Sequence, residues 1–149
     1  MKRQQGFSLI ELLIVVAVIG IIAAIAVPNL MRSRDAAQEA SAISSCRTLA
    51  TAEITFAATQ GNGKFADFGQ LEDAGLIDEA LGAGEKDGYD FAVADTPDAF
   101  SITAQPNGPN ADQMRNFFVD QSCVIRFAQG GAASADSTPL GGQAAAAAE

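Results

Sequence analysis

Between Phe7 and Val27 the chain runs for 21 residues with a single charge, Glu11. A helix needs about 20 apolar residues to cross the hydrocarbon of a bilayer, and a buried helix in a small soluble domain is rarely apolar all round. The stretch therefore predicts a membrane-spanning helix. The remainder of the chain is rich in Asp, Gly, Ala and Asn and predicts a water-soluble part, and the 149 residues have room for about one such domain.

The residues ahead of the apolar run do not form an ordinary secretory signal. Such a signal places its small-residue cleavage site after the apolar part, which is then discarded. Here the basic Lys2 and Arg3 lead to Gly6 directly before the run, and no A-x-A site follows the run ahead of the polar region. A cut after Gly6 would leave the membrane helix on the product. Glu11 is the second anomaly, because inserting a carboxylate into hydrocarbon costs roughly 2.5 to 3.5 kcal/mol and usually marks function. It needs a cation. The α-amino group that a cut would create at Phe7 lies four residues away, on the same helical face.

The segment KRQQGFSLIELLIVVAVIGIIAAIAVPNL, Lys2 to Leu30, resembles the N-terminal segment of type IV pilins and pseudopilins. The basic leader ending in Gly6, Phe7 after it, Glu11, Gly20 and Pro28 carry the resemblance together. It implies cleavage between Gly6 and Phe7 by a membrane-embedded aspartic prepilin peptidase, which also N-methylates Phe7. Glycine suits the position before the cut, since a backbone without a side chain enters a narrow protease site. The resemblance further implies that Glu11 of one subunit pairs with the Phe7 amine of its neighbour during assembly, so cleavage would act as a switch. It implies as partners identical subunits in a helical filament, the peptidase, and the inner-membrane assembly machinery. The expected location is the bacterial inner membrane before assembly and an extracellular pilus afterwards.

Orientation is set by charge. Lys2 and Arg3 keep the amino end cytoplasmic and place the C-terminal part outside. Arg32 and Arg34, just beyond the other end of the span, weaken that signal, and Asp35 and Glu39 offset them only electrically.

From Asn29 to about Thr59 the sequence is Ala-rich, lacks Gly and Pro, and repeats Ala36, Ala40, Ile43, Ala50, Ile54 and Ala57 at intervals near 3.6. This predicts a single long helix from Phe7, with its second half packed on a domain through that stripe. Gly20 and Pro28 are its weak points, as Pro28 has no N–H for the Ala24 carbonyl. The family resemblance implies that the segment between them can unwind in filaments. Gly61 to Lys64 reads as a tight loop ending the helix. Residues 65–84 read as a surface excursion with one or two helical turns, in which Phe65, Phe68, Leu71, Leu76, Ile77 and Leu81 cover the core. Strands are predicted at Tyr89 to Ala94, Phe100 to Gln105, Asn116 to Asp120 and Cys123 to Phe127. Thr96, Pro97 and Asp98 suit a turn, and Gln121 with Ser122 a two-residue hairpin.

The expected fold class is thus α+β, a long N-terminal helix packed against a small antiparallel sheet, the pilin fold. Its divisions are a leader (1–6), a membrane or filament-core half-helix (7–28), a soluble half-helix (29–59), a connecting loop (60–88), the sheet (89–128) and a low-complexity tail (129–149) expected to be disordered or loosely packed. Cys46, on the stripe, and Cys123 predict a disulfide if the domain lies in an oxidising compartment; two separate buried thiols are the alternative.

Several functions are disfavoured. The net charge of −9 repels phosphate backbones, so direct nucleic-acid binding is not expected. The absence of His removes the commonest general base and metal ligand, and Ser8, Ser44 and Ser45 have none to activate them, so an enzyme is not expected. No cofactor is expected. A Ca²⁺ site among Asp87, Asp90, Asp95, Asp98, Asp112 and Asp120 is the alternative to a solvated acidic surface. The leading function is the structural subunit of a type IV pilus, favoured by the expected disulfide and tail. The alternatives are a pseudopilin of a type II secretion system and a minor pilin acting as an adhesin or DNA-uptake module.

Overall fold

A run of Ala, Ile, Leu and polar straight-chain residues without Gly or Pro after Asn29 favours helix, and helix α1 spans Leu9–Thr59, 51 residues, in the computed structural model. Residues 7–96 and 99–141 are described. Gly6, Lys2, Arg3, Pro97 and Asp98 lie outside them, and with them the leader and part of the turn predicted at Thr96. The chain divides into two units, Met1–Ala36 and Ala37–Glu149.

In the first unit α1 passes through Gly20 and carries on through Pro28 as helix. In the second, α1 ends where the sequence turns to glycine. The Gly61 N–H donates to the Phe56 carbonyl at 2.8 Å and that of Gly63 to the Ala57 carbonyl at 2.9 Å, closing the last turn. Asn62 and Gly63 adopt φ of 48° and 85°, a conformation that glycine and asparagine reach most cheaply. A Cβ on Gly61 would stand 2.2 Å from the Lys64 carbonyl oxygen, so this position admits no side chain.

The buried face of α1 is Ala42, Ser45, Cys46, Leu49, Ala50, Ala52 and Glu53. This corrects the predicted stripe: Ala36, Ala40 and Ile54 are exposed, Ile43 and Ala57 are half-buried, and only Ala50 is buried. In an Ala-rich helix nearly every face shows small apolar residues at period 3.6, so periodicity alone does not choose one. Burial of the larger Leu49 and Cys46 does.

Two short helices come next. Helix α2 (Phe68–Asp73) starts at a capping box, in which the Asp67 carboxylate accepts the Gln70 N–H and the Gln70 side chain accepts the Asp67 N–H. Helix α3 (Glu79–Gly82) is capped by Asp78. Leu71 and Leu81 are buried, and Phe65, Phe68, Leu76 and Ile77 pack against the core at its edge, as expected for the excursion.

Among the described residues a six-stranded antiparallel meander completes the fold, with strands in sequence order: β1 (Glu85–Lys86), β2 (Tyr89–Thr96), β3 (Ala99–Pro106), β4 (Arg115–Asp120), β5 (Arg126–Gln129) and β6 (Thr138–Pro139). Alternate residues face inward: Tyr89 and Phe91 on β2, Phe100, Ile102 and Ala104 on β3, Phe117 and Val119 on β4. They form one cluster with Ala42, Cys46, Leu49 and Ala50 of α1. The helix therefore covers one face of the sheet, and the α+β class is the one observed.

Two expectations change at the C-terminal end. Cys123 to Phe127 is not a strand from its first residue, and Gln121 with Ser122 is not a two-residue hairpin. Cys123 takes a left-handed φ of 57°, and pairing resumes only at Arg126 opposite Phe118. The tail is also partly ordered. Ala133 is buried, Thr138 and Pro139 pair with Phe127 and Arg126, and the Leu140 N–H donates to the Ile125 carbonyl at 2.7 Å. Backbone hydrogen bonds to a sheet edge do not require large side chains, which is why a low-complexity composition misled. Residues 142–149 lie outside the described part.

Candidate functional site

Every described residue from Phe7 to Arg34 is exposed, including Phe7, Leu9, Ile10, Ile14, Ile19, Ile21, Ile22 and Ile25. An apolar surface of this length on all sides of a helix is incompatible with water as its solvent. α1 is the one candidate span among the described residues.

At its start the helix satisfies its own amides. Ser8 precedes the first helical residue, Leu9, and the Glu11 carboxylate accepts the Ser8 N–H at 2.9 Å through Oε2. This is half of an S-x-x-E capping box, legible in the sequence as Ser8-Leu9-Ile10-Glu11 but absent from the sequence expectations. Glu11 also lies in the first turn, where a negative charge is favoured by the helix dipole. Phe7 stands just ahead of the helix, so Phe7 and Glu11 fall at one end of α1. The carboxylate oxygen is directed to the Ser8 amide. Gly6 lies outside the described residues. Gly20 has nothing within 4 Å of where a Cβ would stand, so no contact within this chain demands a glycine there.

The predicted disulfide is not formed: both cysteines are free, Cys46 buried and Cys123 exposed. Cys46 sits within the helix–sheet core with Leu49 and Tyr89, whereas Cys123 lies in the turn after β4, outside that cluster. Placing Cys46 on the inward face was correct; the error was reading Cys123 as the first residue of a strand. Burial pushes the Cys46 thiol up to about 12, because the thiolate would have to shed its water.

Three of the acidic residues weighed as calcium ligands, Asp87, Asp90 and Asp120, have hydrogen-bond partners within the chain. Ser41 donates to Asp87 across 46 residues, Asn107 bridges Asp90 and Glu85, and Asp120 accepts from the Ser122 N–H and hydroxyl. Asp112 belongs to a 3-10 turn. Among the described residues no three His, Cys, Asp or Glu side chains gather as a metal site.

Two carboxylates on α1 organise the second unit and were missed. Glu39, half-buried, accepts from the Arg115 backbone N–H at 2.9 Å and from its guanidinium at 2.7 and 2.9 Å. The same guanidinium lies over the Phe117 and Phe127 rings. Glu53, fully buried, accepts the Ala66 N–H at 3.0 Å and so ties the loop ahead of α2 to the helix. Farther round α1, Thr48, Thr51, Thr55 and Thr59 donate to carbonyls one turn back. Clefts of about 390 and 410 Å³ lie along that side. With the hydroxyl protons used inside the helix, these threonines offer a partner only acceptor oxygens.

A long helix, apolar and exposed in its first part and packed on an antiparallel meander in its second, defines an α+β protein built on a membrane-type anchor. Residues 1–27 match the family model described as the prokaryotic N-terminal methylation motif. The chain is similar to the type IV major pilin protein PilA of Myxococcus xanthus, 37% identical over 62% of this chain and 39% of that one. It is also similar to a fimbrial protein of Pseudomonas aeruginosa, 52% identical over 35% of this chain and 34% of that one. A third relative is the type II secretion system core protein G of Aeromonas hydrophila, 42% identical over 29% of this chain and 30% of the relative. The chain thus spans well under half the length of these relatives. No solved structure matches it.

Proposed function

We propose that the protein is a structural subunit of a type IV pilus, cut between Gly6 and Phe7 by a prepilin peptidase, N-methylated at Phe7, anchored in the inner membrane by α1 and polymerised through it. The observation that carries this is the exposed apolar length of α1 with one carboxylate, Glu11, in its first turn, joined to the methylation motif over residues 1–27. In this reading the cut frees a cation at Phe7, and Glu11 of an adjoining subunit leaves the Ser8 amide to meet it. Gly20 and Pro28 are the positions where α1 yields if the filament requires it. Identical subunits and the inner-membrane assembly machinery are the partners. The non-cytoplasmic side receives the second unit, and the pilus lies outside the cell.

A pseudopilin of type II secretion is the second reading, favoured by the core protein G relative, which matches at comparable identity. The expected disulfide no longer argues for the pilus, since the cysteines are free. The similarity to PilA does, because it extends over 92 residues, beyond the N-terminal segment, whereas that to core protein G covers 43.

The test is to shear cells expressing the protein, pellet the released material, and examine it by electron microscopy and N-terminal mass spectrometry. Long filaments whose subunits begin at methylated Phe7 are expected. Mature protein that stays in the membrane without shed filaments would replace the pilus by the pseudopilus. A subunit still carrying Met1 to Gly6 in filaments would overturn both.

A further inference from the structure

The orientation rule disfavours cations on the exported side of a span, yet Arg32 and Arg34 stand just past the apolar stretch. Both are exposed. The helix from Leu9 to Met31 rises roughly 34 Å at 1.5 Å per residue, against about 30 Å of hydrocarbon. With the helix in a bilayer, Arg32 emerges at the level of the headgroup phosphates.

Their angular placement identifies the partner. Two residues apart on an α-helix, the side chains diverge by about 200°, so Arg32 and Arg34 point to opposite sides of α1. A single docked protein surface would meet one of them. Lipid, which surrounds the helix on all sides, meets both. Around Arg34 the residues one turn away, Leu30, Met31, Ala37 and Gln38, carry no charge, and Asp35 stands one turn from Arg32 only. Arginine presents a planar fork of donors suited to phosphate. The cut after Gly6 would remove Lys2 and Arg3, leaving this pair as the basic residues beside the membrane in an otherwise acidic chain.

We propose that Arg32 and Arg34 form a basic belt that binds anionic glycerophospholipid headgroups of the non-cytoplasmic leaflet and holds the subunit at a fixed depth. This rests on α1 spanning the membrane in the orientation given above. The chain cut after Gly6, without Lys2 and Arg3, would be reconstituted in phosphatidylcholine vesicles with trace spin-labelled phosphatidylglycerol or phosphatidylcholine, and electron paramagnetic resonance would read the motionally restricted fraction of each.

Near the surface an arginine adds roughly fivefold to association with an anionic lipid, so phosphatidylglycerol is expected to be preferred at least about fivefold at low salt. The preference should fall toward parity in molar NaCl, where screening is nearly complete. Arg32→Gln with Arg34→Gln should abolish it. The corresponding double Lys variant should keep most of it, and Arg47→Gln, on the soluble part of α1, should keep all. Parity in the unaltered protein, or a preference that survives the double Gln change, overturns the belt. Alkaline carbonate extraction separates the span from the belt: a chain released by carbonate removes the span itself, whereas a resistant chain without lipid preference removes the belt alone. Should the Gln variant fail to insert, the salt titration of the unaltered chain still decides.

Discussion

Cys46 and Cys123 differ in one physical respect, access to water, and their chemistry should divide accordingly. Cys123 is exposed and Cys46 is buried with its thiol pushed up to about 12. A maleimide should therefore label one thiol in the folded protein and two after denaturation; two rapid labellings in the fold would contradict the burial. The raised value also carries a stability sign. An unfolded thiol ionises near 9.0 and the folded one near 12, so the native state holds the proton longer. Its contribution is complete below about pH 9 and is lost as pH rises toward 12, by at most about 1.4 kcal/mol per pH unit. Urea denaturation at pH 8 and pH 10 should show a smaller loss in Cys46→Ala than in the parent. Asp78 behaves in the opposite sense: its hydrogen bond to Lys86 lowers its carboxyl, and the small contribution of this exposed cap is lost as the solution is acidified through the carboxylate range. At Glu39 the stakes are larger, because Glu39→Ala strands a guanidinium and a backbone amide in a half-buried position. A loss of about 2 kcal/mol is expected in chemical denaturation. A change below about 0.5 kcal/mol would place this pair with ordinary surface ion pairs.

The elements form for reasons of unequal legibility. α1 is written in composition and length, and its end is written in Gly61 to Lys64. The strands are written in alternation, so β2, β3 and β4 agree with expectation to within a residue or two. The rotation of α1 about its axis was not legible, because alanines on several faces satisfy the same period and the sheet chooses among them. β6 was not legible either, since two residues held by backbone hydrogen bonds leave no pattern in side chains. Its place at the sheet edge gives it a purpose: it covers β5, whose N–H and C=O groups would otherwise face solvent as a template for another strand. Truncation after Gln129 should lower the melting temperature and raise concentration-dependent light scattering. An unchanged melting curve and clear solution would show that the segment contributes nothing to the sheet.

For the whole molecule, Glu11 carries two separable roles, capping α1 through the Ser8 amide and supplying the charge that the proposed assembly uses. Glu11→Gln keeps an oxygen for the amide and removes the charge, whereas Glu11→Ala removes both. Both variants should insert and be cut, as read by mass spectrometry, and both should yield few sheared filaments. Normal filament yield from Glu11→Gln would reduce Glu11 to a cap. A bulky residue in place of Gly6 should leave the uncut precursor in the membrane, and normal processing would count against the peptidase step.

The sequence by itself determined the apolar span, the motif around Gly6, Phe7 and Glu11, and the order of helix, loop and meander. Each rests on local composition or on spacing along one element, which need no knowledge of what packs where. Tertiary structure alone decided that Cys46 and Cys123 stay apart, that Glu39 reaches Arg115 across 76 residues and Glu53 reaches Ala66, and that the tail returns to the sheet. Those outcomes depend on the rotation of α1 and the register of β5. Both are set by burying Leu49, Tyr89 and Phe117 together, a balance of many weak contacts that no single stretch of sequence contains.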